Sequence, residues 1–488
     1  MKSFIKIILL ALVVCQIFCG ACNSAELPPT QQWVKTWDSG LGTDEGFGAA
    51  IFTDSKGNDY YYITGYMTGA VDLDGITIKY NSSGDTIWQR SFDALGGIGA
   101  DRLNGIVLDG NENVYVTGTS DSSAGHKDIV MVKYDSSGNT LVKFYDLQNN
   151  NASGYGITLD GSGNIYLVGD ATVPTAIATL KCNGSGDITW CETYAANSAE
   201  GKAVVVDGSG NVYITGYYTN GIDYCITVKY NSSGNTVWER VYNDGVSDRS
   251  NGIALDGAGN NIYITGSSGN DILTIKYNSN SETLWLRKYS GSGACTGNSI
   301  KVDSNGYVYV AGVYRNALGN DDFIVIKYTS SGDTLWVITY DNAGGSEMAK
   351  AIALNDEGDI CVTGTGSGNI VTVKYKQNPV PGMAEPSYKG SVKIGSTGGK
   401  GIVYPGDEAI IAFKPTEPGQ VIVRIYTLNG LLVYEFPPKT VTNIEDDANN
   451  IIQWACSNSS GAKVASGVYL VYVEGPGIKV TKKLAILR

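Results

Sequence analysis

The chain has 488 residues, 42% of them hydrophobic and 17% charged, with 63 glycines, 32 tyrosines and one histidine. This mix is too apolar for a disordered chain and too rich in glycine and tyrosine for a helical bundle; it favours many short strands joined by turns. The formal net charge of −13 argues against nucleic acid or an anionic membrane as partner, because either needs a basic surface.

Lys2 and Lys6 precede an apolar run from Ile7 to Phe18, and small residues follow as Gly20-Ala21-Cys22-Asn23-Ser24-Ala25. Residues 1–25 therefore predict a secretion signal peptide, since the run is too short to span a bilayer. Two processing sites compete. Cleavage after Ala25 would release a soluble protein. Cleavage after residues 1–21 would leave Cys22 to be lipidated; Gly20-Ala21-Cys22 resembles the end of a bacterial lipobox, although Cys19 stands where leucine is usual. No later segment reads as transmembrane, so the expected location is secreted or cell-surface.

Beyond the signal lie Cys182, Cys191, Cys225, Cys295, Cys361 and Cys456, with no CxxC spacing, which argues against a zinc site. Export would permit disulfides. Cys182 and Cys191 fall on the two arms of one hairpin but not opposite each other, so buried free thiols are expected.

From residue 31 the sequence repeats. Lys-Tyr recurs at 79–80, 133–134, 229–230, 276–277, 327–328 and 374–375, with Lys181-Cys182 as a further copy. A β-rich run ending in glycine precedes each copy (Gly65, Gly118, Gly169, Gly216, Gly266, Gly312, Gly364), and a turn such as Asp160-Gly-Ser-Gly-Asn164 precedes that run. A second turn and an aromatic strand such as Trp238-Glu-Arg-Val-Tyr242 follow. One unit reads as four strands, for example Ala203 to Asp207, Val212 to Gly216, Tyr224 to Tyr230 and Thr236 to Tyr242. A four-stranded unit of ~40–50 residues in tandem is the mark of a β-propeller. The last unit lacks its aromatic strand, and Trp33 to Trp37 lacks three strands before it. The two fragments complete one blade, so residues 33–37 should pair with residues 369–375 and remove two open sheet edges.

The pattern Asp-x-x-Gly-Asn-x-Tyr-[Val/Ile]-Thr-Gly, then Asp-x-x-x-x-Lys-Tyr, then Ser-x-Gly-[Asn/Asp]-Thr-x-Trp resembles the SBBP repeats of bacterial seven-bladed β-propellers. The resemblance covers about residues 31–376 and implies an extracytoplasmic propeller, with no catalytic residues to carry over. The fold expected is all-β: a seven-bladed propeller of four-stranded blades followed by a small Ig-like β-sandwich.

Prolines in residues 377–389 mark a linker. Residues 390–488 then read as antiparallel strands at 408–414, 420–427, 430–436, 450–455, 467–474 and 478–486, as in a small sandwich. Val423-Arg-Ile-Tyr-Thr-Leu-Asn-Gly430, Ala465-Ser-Gly-Val-Tyr-Leu-Val-Tyr-Val-Glu474 and Thr481-Lys-Lys-Leu-Ala-Ile-Leu487 resemble Ig-like domains of the flagellar hook-cap (FlgD) type, and also type IX sorting domains. The first resemblance implies a spacer or docking module, the second an engagement with export or envelope machinery.

Few residues offer chemistry. His126 lies in a polar loop, and a single histidine excludes any multi-histidine metal site. Lys79 and its repeats read as stems packed along the sheet with their charge near the preceding aspartate. The repeated tryptophans read as inter-blade packing. Asp54, Asp109, Asp160, Asp207, Asp256 and Asp303 each close a turn through the side chain. Asp160-Gly-Ser-Gly-Asn164 resembles a calcium loop but lacks the later acidic ligand. Positions that differ between units are the better site candidates. Loops between blades carry Asp101-Arg102, Asp248-Arg249 and Glu347, and loops between second and third strands carry Asp121, Asp223, Arg315 and Asp321. Asp101, Asp248 and Glu347, with Arg102, Arg249 and Arg315, are the ligand-binding candidates. The acids are expected near the central channel, where they would bind calcium or a polar ligand. No catalytic, cofactor or obligatory metal residue is assigned.

The expected function is a non-catalytic binding or scaffold protein that presents propeller loops to an extracellular glycan or protein. The alternative is a carbohydrate-active lyase or hydrolase using the loop-face carboxylates.

Overall fold

The computed structural model describes residues 28–377, less 95–98, 123–124, 136–139, 148–150, 173–174, 196–197, 258 and 343. Beyond these it describes 391–396, 402–403, 408–415, 418–427, 432–442, 450–458, 462–476 and 478–486. Every regular element among them is a strand, so the chain is all-β. No helix is long and apolar enough to cross a membrane among the described residues. Two compact units emerge, one holding Glu26–Asn378 and the other Pro379–Arg488.

The first unit is a β-propeller. Its described residues form seven four-stranded antiparallel sheets. Six are continuous in sequence, spanning residues 45–92, 101–145, 152–195, 200–242, 248–289 and 296–340; the seventh combines 347–376 with Thr30–Trp37. We number them I to VII. Within sheets I to VI the strands run in sequence order. Successive first strands touch, and that of sheet VII touches that of sheet I, so these strands are the innermost. In sheet VII, Thr30–Trp37 lies against Asn369–Lys376 as the fourth strand, with Val34 opposite Val373 and Trp37 opposite Ile370. The two ends of the repeat region are thus paired as the repeat arithmetic requires.

Second and third strands are apolar on both faces because each sheet is covered on both sides. Ile214, Ile226, Val228, Ile264 and Ile275 are all fully buried, each worth about 1.5–3 kcal/mol against exposure. Several threonines of the second strands donate to a neighbouring carbonyl, whereas the hydroxyls of Thr179 and Thr274 on third strands are buried without a hydrogen-bond partner. Thr215 Oγ1 donates to the Ile226 carbonyl at 3.0 Å, and Thr265 Oγ1 to the Leu273 carbonyl at 2.9 Å.

The repeated glycine does not end its strand, as the sequence pattern suggests. In the fourth sheet the second strand runs Val212–Asn220, past Gly216, and the first runs Glu200–Val206, leaving Asp207 in the turn. Opposite Gly216 the first strand has a bulge between Gly201 and Ala203. A Cβ on Gly216 would lie 1.9 Å from the Glu200 carbonyl oxygen, and the equivalent clash on Gly118 is 1.8 Å from that of Arg102. The glycine recurs because the bulge brings two backbones together.

The aspartate turns form as expected. Asp160 Oδ1 accepts from the Ser162 and Asn164 N–H groups, both at 2.9 Å. Its Oδ2 accepts from Asn164 Nδ2 at 2.7 Å and the Tyr166 hydroxyl at 3.0 Å. The following lysine lies over that kind of tyrosine, as Lys229 Nζ does 4.9 Å from the Tyr213 ring centre. The fourth-strand tryptophans tie sheet to sheet: Trp190 Nε1 donates to the Ser232 carbonyl and Trp285 Nε1 to that of Ser330. All six cysteines after residue 25 are free, but Cys191 is exposed rather than buried. It pairs across from Leu180, two residues before Cys182, which itself lies opposite Ile188.

The C-terminal unit has a three-stranded sheet of Ser391–Ser396, Ala409–Lys414 and Ile451–Trp454, and a larger one built on Gly419–Thr427, Gly467–Gly475 and Ile478–Ile486. Inward residues alternate with outward ones, and Ile411, Phe413, Val423, Ile425, Trp454, Val471 and Leu484 share one core. It departs from the all-antiparallel expectation, because Ile402–Val403 runs parallel to the last strand. Ser391–Ser396 and Lys439–Val441 were not legible in the sequence pattern. The turn at 428–430 lies outside the described residues.

Candidate functional site

Inter-blade loops and second-to-third-strand loops share one face, as their backbone hydrogen bonds show: Thr172 N donates to the Asn151 carbonyl and Gly269 N to that of Ser247. The inner strands begin on this face. Their bulge fixes which side chains enter the channel and which turn into the wall.

Asp101, Asp248 and Glu347 are each the first residue of an inner strand, and all turn into the wall. They are 1%, 0% and 0% exposed. Asp101 Oδ2 accepts the Ala94 N–H at 2.8 Å, Asp248 Oδ2 the Asp244 N–H at 3.1 Å, and Glu347 Oε2 the Asn342 N–H at 3.4 Å. Each acid staples the loop that leads into its own strand. The expectation that they project near the channel is therefore corrected: strand side chains alternate, and a one-residue offset exchanges channel for wall. Burial pushes Asp101 up to about 6 and also raises Asp248 and Glu347.

The arginine candidates divide. Arg102, next to Asp101, is exposed and lines the channel, with its guanidinium 5.0 Å from the Tyr66 ring centre. Arg249 pairs with Asp223 at 2.6 Å and lies over Tyr217. Arg315 pairs with Asp321 at 2.6 Å and donates to the Gly319 carbonyl. Neither of these two lines the channel. Cys22 lies outside the described residues. His126 lies in its loop with the side chain only 14% exposed and Nδ1 3.1 Å from Asp128 Oδ1.

The channel holds about 730 Å³. Each inner strand contributes the residue directly after the start of its bulge: Phe47, Asn104, Tyr155, Lys202, Asn251, Asn298 and Lys350. The three asparagines brace the wall. Asn104 Nδ2 donates to the Gly154 carbonyl at 2.7 Å, Asn251 to Gly297 at 3.0 Å and Asn298 to Ala349 at 2.7 Å, in each case on the neighbouring inner strand. The described lining also includes Arg102, Lys127 and Lys301, giving five cationic side chains and no carboxylate. Lys127 pairs with Asp121 and Lys202 with Glu200, both behind the lining. Lys301 and Lys350 have no acidic partner in a described ion pair; Lys350 Nζ lies 5.8 Å from the Phe47 ring centre. Lys301 is reached by solvent along the channel but walled by protein around it, and this desolvation pushes its ammonium down.

Beside Tyr155 and Lys202 stand two carboxyls with opposite shifts. Burial, then the charge of Glu200, pushes Asp170 up to about 6, and its Oδ1 is buried without a hydrogen-bond partner. Glu200 goes the other way: against the upward push of burial, the Lys202 ammonium and the Tyr217 hydroxyl hold it below the usual range. The sequence reading missed Lys202, Lys301, Lys350 and Asp170. Aligning the seven first strands on the bulge would have found the two lysines at Phe47's position; nothing local marks Lys301 or Asp170.

Comparison with known proteins supports the propeller. The β-propeller repeat family SBBP matches residues 95–123. A search of curated proteins finds no match. Among solved structures the chain is similar to PorZ, described as an essential surface component of the type-IX secretion system of Porphyromonas gingivalis, at 16% identity and TM-score 0.43. The match covers 88% of this chain, which spans 58% of the length of that one. It is also similar to the Cps50 (Swd1) β-propeller domain of Myceliophteria thermophila, at 12% identity and TM-score 0.45, over 70% of this chain and 99% of that one. A gluconolactonase of Xanthomonas campestris, XC5397, matches at 11% identity and TM-score 0.36, over 73% of this chain and 98% of that one.

Proposed function

We propose that the chain is a non-catalytic, extracytoplasmic binding or scaffold protein whose propeller takes an acidic glycan at its channel. In this reading the seven sheets are the blades of one closed ring over residues 31–376. Residues 1–25 direct export, with lipidation at Cys22 the alternative processing. Residues 390–488 form an Ig-like module of FlgD or sorting type that spaces the ring or engages envelope machinery.

One observation carries the ligand class. A chain of net charge −13 places five cationic side chains and no carboxylate in the described lining of its channel. A field of one sign within protein walls attracts and holds the opposite charge. Lys301 and Lys350, free of acidic partners in the described ion pairs, would meet ligand carboxylates or sulfates, while Tyr155 and Phe47 offer ring faces to sugar. The test is a glycan array probed with the full chain, followed by product analysis of each hit. Acidic glycans are expected to bind, with affinity falling at high salt. A Lys301→Met, Lys350→Met double variant should weaken binding about tenfold or more, a loss of about 1.4 kcal/mol. Neutral glycans binding equally well would overturn the assignment.

The enzyme alternative rests on Asp170 and Glu200, which replace the loop acids as its candidates. Two neighbouring carboxyls pushed apart in acidity are what an acid–base pair needs. A bound glycan recovered cleaved, with cleavage lost in Asp170→Asn, would promote that reading.

A further inference from the structure

Three carboxylates meet at the junction of sheets VI and VII, away from the channel lining. Asp322 is on the third strand of sheet VI, Asp341 directly follows its fourth, and Glu347 opens sheet VII. One oxygen from each lies within 4.8 Å of the other two. Asp322 is 5% exposed and Glu347 0%, while Asp341 opens to solvent.

The local donors do not neutralise this charge. Asn316 Nδ2 reaches both Asp322 oxygens, at 3.1 and 3.0 Å, and Gly344 N–H reaches Asp341 Oδ1 at 2.7 Å. Glu347 receives only the long bond from Asn342, and its Oε1 is buried without a hydrogen-bond partner. Arg315 is paired to Asp321 instead. No described ion pair includes any of the three. Burial, and then the neighbouring acids, raise Glu347, and Asp322 is raised by burial first as well.

The repeat supplies its own control. Counting from the Lys-Tyr pair, the aromatic strand and the inner-strand start, the same three positions at the junction of sheets III and IV are Ala176, Ala195 and Ala199. The fold therefore closes without an acid at these three positions, which acids fill at another junction too, as Asp74, Asp93 and Asp101 do between sheets I and II; among the described residues only the Asp322–Asp341–Glu347 set brings three carboxylate oxygens within 4.8 Å of one another.

We infer that Asp322, Asp341 and Glu347 form a divalent-cation site of calcium chemistry that clamps sheet VI to sheet VII. All three are hard oxygen donors, and the absence of histidine or cysteine sets the site apart from zinc chemistry. Calcium accepts six to eight oxygens in flexible geometry, so three carboxylates leave room for carbonyls and water. The site is independent of the channel and stands or falls separately from it.

The test titrates calcium into the full chain after chelation, read by thermal unfolding and by terbium luminescence sensitised through Tyr340, which adjoins Asp341. Calcium should raise the melting temperature in a concentration-dependent way. Asp341→Asn, chosen because that residue is exposed and should not threaten folding, should weaken calcium and terbium binding about tenfold or more. In chelator the same variant should melt at or above the parent, because it relieves repulsion among like charges. A parent indifferent to calcium overturns the inference. So does an Asp341→Asn variant that keeps the full calcium response, or one that melts lower in chelator while the response persists.

Discussion

Replacing Asp160 by alanine removes four hydrogen bonds from one turn. Two of them, from the Ser162 and Asn164 N–H groups, sit at the rim, where water takes over much of their worth. The bond from the Tyr166 hydroxyl differs, because the tyrosine is 0% exposed and its hydroxyl would lose its carboxylate acceptor. An unsatisfied buried hydroxyl costs about 1–3 kcal/mol, and the rim bonds add about 0.5 kcal/mol each. We expect about 3 kcal/mol in all, measured by urea unfolding followed through tryptophan fluorescence. Asp160→Asn should cost about half, since its Oδ1 keeps both backbone bonds while its amide faces two donors. Sheet VII carries this version naturally: Asn355 accepts from the Glu357 and Asp359 N–H groups, and the residue six further on is Cys361 rather than tyrosine. Combining Asp160→Ala with Tyr166→Phe should recover about 1–2 kcal/mol of the summed losses. Burial raises Asp160, but the Asn164 side chain, the Asn164 N–H, the Tyr166 hydroxyl and the Ser162 N–H together outweigh it and hold it below its usual 3.8. Its stabilisation is thus present above 3.8 and fades as pH falls through the lowered value, so parent and Asp160→Asn should converge in acid. An alanine variant within 0.5 kcal/mol of the parent, or additivity with Tyr166→Phe, would refute the reasoning.

Three further outcomes are expected. Asp170 has the opposite sign: its raised value favours the folded state below 3.8, and that advantage is lost as pH rises through about 6. The shift caps the cost at about 3 kcal/mol and the side chain's partial exposure to solvent screens part of it, so Asp170→Asn should stabilise by about 1–2 kcal/mol at pH 7.5 and very little at pH 4. Equal gains at both pH values would contradict this. Trp33→Ala should cost about 2 kcal/mol, because Trp33 donates to the Ser82 carbonyl at 3.1 Å and meets Tyr61 edge-on at 5.4 Å; a neutral result in thermal unfolding would deny Thr30–Trp37 its role as closing strand. Among the cysteines after residue 25, native maleimide labelling should mark Cys191 quickly and the other five only on unfolding, and mass spectrometry of the labelled peptides would show any departure.

Strands and turns were legible because their residues carry local signatures. The Asp-x-x-Gly-Asn turns, the alternation of Ala409–Lys414 and the tryptophan strands report on their own neighbourhoods, and counting the repeats was enough to join the two ends of the repeat region. Side-chain direction at the channel was not legible. It depends on the bulge at Gly201–Ala203 and its equivalents, which adds one residue on the inner strand and shows in sequence only as a glycine fifteen residues later, Gly216. Asp101 and Arg102 exchanged roles for that reason. The acid set at sheets VI and VII escaped notice because its members come from three separate strands or loops, and only superposition of the repeats reveals that Ala176, Ala195 and Ala199 hold the same places.

The pairing of Thr30–Trp37 with Asn369–Lys376 also governs when the ring can finish folding. A chain made from its N-terminus releases one partner first and the other only after six complete sheets. Those six sheets have local hairpins and can assemble in order, whereas the last contact closes a loop of several hundred residues and must wait for it. The entropic toll of so long a loop grows only logarithmically, so the delay is one of synthesis rather than of stability. Until then both outer edges stay open to strand addition from other chains. A chain interrupted anywhere before Lys376 keeps those edges, which makes ring closure a built-in check that the whole propeller has been delivered.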